Sequence, residues 1–447
     1  MMDINTMSPT KPSGIPWLGE VPAHWVVKRL KYLASTNDEA LPVTAVPTQE
    51  IVYVEIGGVD AVEGIVAKEQ LVLEDAPSRA RRLVRHGDTV VSTVRTYLRA
   101  IAPIRDPEPN LVVSTGFAVI RPRELDPDYL GYALRAPYFI ETIVSRSTGV
   151  SYPGINASEI GNIEVAYPPL PEQRAIAAFL DERTARIDAL VARKRRLVQL
   201  LKEKRQALIT RAVTRGLDPK AKMKESGVPW LGEVPEGWEV KPLRNVATFQ
   251  NGISAGADYF GTGYPFVNYK DVYQWPSLPE QVEGLANSTD IDQERYSVRE
   301  GDIFFTRTSE TNEEIGFAST CLKKMEHATF SGFLIRVRPH RGLLAPNFSK
   351  HFFRSDIHRA FFVKEMNLVT RASLGQELLK RLPVLLPPVN EQVAIAEFLD
   401  DRLNRLDALV TKVEQAVERL QEYRTALISA AVTGKVPPTR GATADKG

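Results

Sequence analysis

The stretch "PPLPEQRAIAAFLDERTARIDALV" runs from Pro168 to Val191 and returns as "PPVNEQVAIAEFLDDRLNRLDALV" from Pro387 to Val410. Sixteen of its twenty-four letters are identical, at an offset of 219. Downstream, "ALITRAVTRG" (Ala207–Gly216) returns as "ALISAAVTGK" (Ala426–Lys435) at the same offset. Upstream, "GIPWLGEVPAHW" (Gly14–Trp25) returns as "GVPWLGEVPEGW" (Gly227–Trp238), with nine of twelve letters shared and an offset of 213. The chain is therefore a tandem duplication whose second copy is about six residues longer in its middle.

The middles differ. Residues 31–165 and 244–384 share only faint marks, such as "RHGDTVVSTVR" (Arg85–Arg95) against "REGDIFFTRTS" (Arg299–Ser309). "STGFAVIRPR" (Ser114–Arg123) likewise matches "FSGFLIRVRP" (Phe330–Pro339). A repeat kept only for packing has no reason to diverge in its middles alone. Both middles read as short strands joined by turns, with helical stretches at "DYLGYALRAPYFIETIV" and "NFSKHFFRSDIHRAFFV". Each is thus an α+β domain, ended by the Pro pairs at 168–169 and 387–388.

After each Pro pair comes a long heptad pattern. Leu399, Leu406, Val413, Leu420 and Leu427 recur every seven residues, with Ile395, Leu409, Ala416, Tyr423 and Ala430 as companions. The first copy has Leu180, Ile187, Leu201 and Leu208, accompanied by Ile176, Leu190 and Leu197 and interrupted by Lys194. Such a seam predicts two helices that pair with each other as a coiled coil. About forty residues at a 1.5 Å rise make a rod of roughly 60 Å. The first rod is basic over Arg193–Arg205 and the second is rich in Glu and Asp, which favours their pairing.

Composition sets limits. A chain of 447 residues, 43% hydrophobic and 25% charged, is a multi-domain globular protein. No apolar run spans a bilayer, and "MMDINTMSPTKPSG" at the N-terminus has no signal-peptide core. One cysteine, Cys321, excludes an internal disulfide framework, and a cytoplasmic protein is the expectation. The net charge of +2 leaves open whether the partner is a nucleic acid.

Enzyme signatures fail one by one. "YFGTGYPF" (Tyr259–Phe266) is read as a turn, not a cofactor loop, and no Asn-Pro-Pro-aromatic motif occurs. "EVK" (Glu239–Lys241) lacks the partner carboxylate of a nuclease metal site and reads as a strand start. "VTGK" (432–435) lacks half of a phosphate loop, and His351 and His358 have no metal-ligand cluster beside them. No catalytic, cofactor or metal residue is assigned.

Binding is what remains. In the first middle Arg79, Arg81, Arg82, Arg85, Arg95, Tyr97 and Arg99 cluster around a strand, and Arg146, Ser147 and Tyr152 belong to the polar loop "SRSTGVSYPG". In the second, Asn268, Tyr269, Lys270, Arg307, Thr308, Ser309, Arg371 and Ser373 hold comparable places. These are the side chains that phosphates and base edges accept, although each alone is an ordinary surface residue.

The frame motifs, GxPWLGxxPxxWxVxxL before each middle and PPxxEQxxIAxFLDxRxxRxDALV…ALIxxAVT after it, carry a resemblance over essentially the whole chain. The chain resembles the specificity subunits of type I restriction–modification systems. The resemblance implies two target recognition domains, residues 14–168 and 227–387, each reading half of an interrupted, asymmetric duplex DNA target. It implies conserved helices at 169–216 and 388–436, paired antiparallel to set the spacer, with a linker at 217–226 and a flexible tail at 437–447. It implies a non-catalytic subunit docked to two methyltransferase subunits that use S-adenosylmethionine, and to restriction subunits that use ATP and Mg2+. Trp17, Trp25, Trp230, Trp238 and the Glu-Gln pairs at 172–173 and 391–392 then hold structure or partners. Two rivals are a helical scaffold without DNA and an enzyme that acts on nucleic acid alone; a degenerate subunit ranks below both.

Overall fold

The structure, a computed structural model, describes residues 9–15, 17–309, 315–365 and 372–437. Arg371, most of the C-terminal tail and the start of the N-terminal stretch lie outside the described residues. The chain divides into two compact units, Met1–Lys194 with Gln415–Gly447 and Arg195–Glu414. Both divisions fall inside long helices, Leu170–Arg215 and Val389–Val432. Each unit thus contains one middle, the first half of one long helix and the second half of the other.

Each middle is clasped where it enters and leaves. In the first unit Val26–Arg29 pairs antiparallel with Glu164–Tyr167, and in the second Glu239–Pro242 pairs with Pro383–Leu386. Inside the clasp both units build the same four-stranded sheet. Its order is Ile101–Pro103, Thr89–Ser92, Phe117–Pro122, Ala34–Thr36 in the first unit. In the second it is Ala318–Thr320, Ile303–Thr306, Leu334–Pro339, Ala247–Asn251. The other sheet differs: four strands around Glu50–Val54 and Leu111–Ser114 in the first unit, three around Phe260–Val267 in the second. Both sheets contribute buried residues, and the second sheet carries the divergence.

Strand register corrects one match made from sequence. Thr89 lies opposite Ile120, and Ile303 opposite Val337, so Arg121 corresponds to Arg338 and not to Val337. The reason is a buried ion pair. Arg121 donates twice to Asp88 at 2.8 Å, and Arg338 donates to Asp302 at 2.6 and 2.7 Å. Asp88 and Asp302 sit in the Gly-Asp turns that the two middles share. Desolvated carboxylates are tolerated there because each has a guanidinium fork and a backbone N–H as partners.

"YFGTGYPF" is corrected too. It forms the strand Phe260–Val267, with a register shift between Phe260 and Tyr264. Gly263 has φ +98, and a Cβ there would stand 2.5 Å from the Ala286 carbonyl oxygen, so the glycines serve an irregular strand pairing. "EVK" opens the strand Glu239–Pro242, as expected.

The long helices pair antiparallel. In the second unit Lys202 meets Glu414 at 3.7 Å and Arg205 meets Asp407 at 3.1 Å. In the first unit Asp188 accepts from Arg424 at 2.9 Å. Asp188–Arg424 and Asp407–Arg205 are one pair repeated at offset 219, with donor and acceptor exchanged between helices.

Along the main seam Leu180, Ile187, Leu201, Leu399, Val413 and Leu427 are buried, and Leu208, Leu406 and Leu420 partly so. Of the companions, only Ile176 and Ile395 are buried, and Ala416 and Ala430 are partly so. Leu190, Leu197, Leu409 and Tyr423 are 42%, 41%, 43% and 58% exposed. The companions actually lie four residues after each seam position, where Thr184, Val191, Ala212, Leu403, Arg424 and Ala431 are buried. Polar residues at these positions made this register unreadable from hydrophobicity. Arg424 is buried because Asp188 receives its charge.

The frame motifs meet where the helices begin and end. Trp25 donates to Glu172 at 3.1 Å and Trp238 donates to Glu391 at 3.0 Å, both indoles fully buried. Gln173 and Gln392 accept from the backbone N–H of Asp126 and Ala345, both at 2.8 Å, and donate to the carbonyls of Pro168 and Pro387. Asp126 and Ala345 are the N-caps of the helices Pro127–Ala133 and Pro346–Phe352, so each Glu-Gln pair fastens middle to long helix. A Cβ on Gly434 would stand 3.2 Å from the Trp25 ring, and one on Gly216 2.8 Å from Glu391 and 3.4 Å from the Trp238 ring. Both glycines end their helices with left-handed φ, +71 and +68. Trp230 is partly buried against Phe361, while Trp17 is 64% exposed.

Candidate nucleic-acid interface

In the first unit a patch assembles from the strand Thr89–Ser92 onward. The chain leaves this strand, turns through Thr96–Leu98 and is flanked by Arg95 and Arg99, both left-handed at φ +51 and +54. Two non-glycine residues held there store strain of about 1 kcal/mol or more each, offset by surrounding contacts. Those contacts come from the loop that follows the helix Pro137–Arg146. Thr148 and Gly154 exchange backbone hydrogen bonds at 2.9 Å, Ile155 donates to the Thr93 carbonyl at 2.8 Å, and Thr96 Oγ1 donates to Ser147 Oγ at 2.8 Å. A Cβ on Gly154 would stand 3.1 Å from the Thr93 carbonyl oxygen, which is why the loop can lie so close.

On this platform the Arg95 guanidinium lies 5.0 Å from the Tyr152 ring centroid. Arg99 is held by Glu141 at 2.8 Å. Tyr97 is 54% and Tyr152 65% exposed, and Arg146 is exposed without an ion-pair partner among the described residues. Arg95 is thus brought against Tyr152 and the Thr96–Leu98 turn against Ser147, with Tyr97, Arg99 and Arg146 exposed on the same turn and helix end.

The other arginines divide. Arg79 is exposed beside Glu55 at 3.8 Å, and its carbonyl accepts from Thr115 at 2.7 Å, next to Gly116, which accepts from Thr93. It stands at the border of the patch. Arg81 and Arg82 are half-buried on the strand Ala80–Leu83, covered by the segment at Ala40–Leu41, and the Arg82 Nε is buried without an acceptor. Arg85 is spent on Glu39.

In the second unit the sequence-picked residues do not form one patch. Asn268 closes a capping box on the helix Tyr269–Gln274, with its N–H donating to Asp271 at 2.8 Å. Tyr269 stacks on Tyr273, and exposed Lys270 faces Glu283 at 3.5 Å. Arg307 donates to the Gly332 carbonyl at 3.0 Å and is half-buried. Thr308 and Ser309 form a backbone ladder with Ser373 and Ala372. Asn268 thus uses its side-chain acceptor in a cap, and Arg307 uses one terminal nitrogen in the fold while its Nε is buried without an acceptor. Sequence reasoning missed Phe333, 63% exposed, whose carbonyl accepts from the Arg307 N–H at 3.0 Å. It also missed Tyr264, exposed and 5.3 Å from the His327 ring. An aromatic residue in a Gly-containing strand connection was the available signal.

No metal-sized cluster of His, Cys, Asp or Glu occurs among the described residues. His351 Nε2 donates to the Asp400 carboxylate, 2.8 Å away, and His358 is buried among Phe352 and Phe353. No described helix is long and apolar enough to cross a membrane.

Known proteins align with this architecture. The chain is 27% identical to the type I restriction enzyme EcoKI specificity subunit of Escherichia coli, over 71% of this chain and 68% of that one. It is 23% identical to a putative type I restriction enzyme MjaX specificity subunit of Methanocaldococcus jannaschii, over 94% and 95%. Among solved structures it superposes at TM-score 0.68 and 22% identity on a chain from work on assembly and conformational transition of the type I R-M system, covering 93% and 99%. The HsdS subunit from Thermoanaerobacter tengcongensis superposes at 0.52 and 23% identity, covering 93% and 98%. The family model for the type I restriction modification DNA specificity domain matches twice, at residues 24–199 and 235–419, once per repeat. With most of both repeats inside that match, the chain belongs to the type I restriction modification DNA specificity family.

Proposed function

We propose that this chain is the DNA-reading subunit of a type I restriction–modification complex, each middle reading one half of an interrupted target. One observation carries the reading: two units share one clasp, one sheet and one helix frame, yet present different second sheets and different loops. Identical scaffolds with divergent faces suit two readers of two unlike half-sites. In the first unit the reader is the patch of Arg95, Tyr97, Arg99, Arg146, Ser147 and Tyr152, bordered by Arg79. In the second, Lys270, Phe333 and Tyr264 are the proposed exposed contacts, with Thr308, Ser309 and Ser373 supplying the adjoining ladder.

The paired helices fix the spacer between half-sites. The duplicated frame offers two methyltransferase subunits equivalent docking surfaces, and restriction subunits join that assembly. Catalysis belongs to the partners, which bring S-adenosylmethionine, ATP and Mg2+, and the complex works in the cytoplasm on duplex DNA.

The test is to co-express this chain with its methyltransferase subunit and map methylated adenines in host DNA. A single interrupted motif is expected. Exchange of residues 31–165 changes one half and exchange of 244–384 changes the other. Within the first half, Arg95→Gln and Tyr152→Ala weaken recognition by about 1–3 kcal/mol per lost base contact. Absence of new methylation from an intact complex would refute the DNA-reading role.

A further inference from the structure

The first unit holds a cleft of about 610 Å³ that the DNA-reading proposal does not use. Its walls include Lys68, Arg105, Arg135, Asp181, Asp188 and Arg424, with Ile65 and Pro103 as apolar floor, and all belong to the first unit. The volume is within the range of small-molecule clefts, and the lining is more polar than that of most, as suits a charged ligand.

Besides Glu63, which also lines the cleft, the basic groups around it are each paired with a carboxylate, with one exception. Arg105 is held by Asp128 at 2.7 Å and by Asp181 at 2.9 Å. Arg424 is held by Asp188 at 2.9 Å, and Lys68 by Glu108 at 2.7 Å. Arg135 has no carboxylate. Its Nε donates to the Gly131 carbonyl at 3.0 Å and its guanidinium lies 5.0 Å from the Tyr132 ring centroid. Its terminal nitrogens have no acceptor among the described residues. Asp181, the nearest candidate, already accepts from Tyr132 at 2.7 Å as well as from Arg105.

The repeat supplies the comparison. At offset 219, Tyr132 and Asp181 become His351 and Asp400, which make the same contact at 2.8 Å. Arg135 becomes Arg354. There the guanidinium donates to the carbonyls of Ala318, Val272 and Tyr273 at 2.7, 2.8 and 2.8 Å and stacks over Phe317 at 4.7 Å. The helix Tyr269–Gln274 that supplies two of these acceptors belongs to the second unit's own middle. One copy of the arginine is spent on the fold, and the other faces a cleft with its fork unused. Burial beside Arg424 and Arg105 pushes Arg135 down to about 10, so an approaching anion also relieves that penalty.

We propose that this cleft binds a small oxyanion, a phosphate ester or a carboxylate, through the Arg135 guanidinium. Planar two-point hydrogen bonding to such a group is what a guanidinium fork provides and a lysine does not.

Calorimetric titration of the full chain with inorganic phosphate, and separately with acetate, tests this. Saturable binding of either anion is expected, and which one binds identifies the ligand chemistry. Arg135→Gln weakens it at least tenfold. Ala185→Glu, at an exposed helix position that lines the same cleft, supplies an internal carboxylate and weakens it similarly without disturbing the core. A melting curve like that of the parent confirms each variant's fold. Equal titration of parent and both variants, or binding of neither anion by the parent, overturns the proposal. So does displacement of the bound anion by a duplex oligonucleotide, which would make Arg135 part of the DNA surface.

Discussion

The register of the helix pair yields a sharp test. Leu403 is 4% exposed and packs in the core of the second unit, whereas Leu409 is 43% exposed. Sequence spacing alone favours Leu409 as the buried companion. Truncating a buried leucine loses its transfer free energy and leaves a cavity, about 2–5 kcal/mol in all. For Leu403→Ala, about 3 kcal/mol is expected, because neighbours such as Leu399 and Ile395 are themselves fully buried and fixed in long-helix geometry. Leu409→Ala leaves a surface notch that water fills, and costs about 1 kcal/mol or less. In urea, with a slope of about 2–3 kcal/mol per molar, the first variant moves the midpoint of the second unit by about 1 M and the second barely moves it. The first helix offers the same contrast, with Val191 7% and Leu190 42% exposed. Equal destabilisation by Leu403→Ala and Leu409→Ala would refute the assigned register.

Other outcomes follow from particular contacts. Asp302→Ala leaves the partly buried Arg338 guanidinium with only Ser297 as acceptor and costs about 3 kcal/mol, read by denaturation, whereas Lys324→Ala at an exposed pair costs at most about 1. Gly434→Ala destabilises more than Gly227→Ala: both have left-handed φ, but a Cβ at 434 would stand 2.4 Å from the Pro22 ring while that at 227 meets nothing within 4 Å. Differential scanning calorimetry of the pair checks this. Burial holds His351 below its ordinary value of 6.5, outweighing the opposing effect of its hydrogen bond to Asp400. The unfolded state therefore binds more protons on the acid side of 6.5, so stability is present above that pH and declines as pH falls below it. His351→Gln flattens this part of the unit's pH profile; an unchanged slope between pH 7 and 5 would count against the assignment.

The sequence by itself determined the duplication, the α+β class, the two long helices and their mutual pairing. Each rests on a local pattern: repeated letters, alternation, or a seven-residue period. Leu180, Leu399 and their seam partners were legible because one apolar residue per two turns admits a single buried face. The tertiary structure decided what depends on distant partners. Arg424 looked like surface until Asp188, 236 positions away in sequence, accepted its charge and drew it into the interface. Asn268 and Arg307 had the composition of base readers, yet the Asn268 side chain accepts within a helix cap and one Arg307 nitrogen donates to the Gly332 carbonyl. Arg95 and Tyr152 were two entries in separate clusters until backbone bonds between Thr93, Thr148, Gly154 and Ile155 set one ring against one guanidinium. A donor's chemistry is written in its residue type, but whether that donor is free is settled only by which acceptors the fold brings within 3 Å or so.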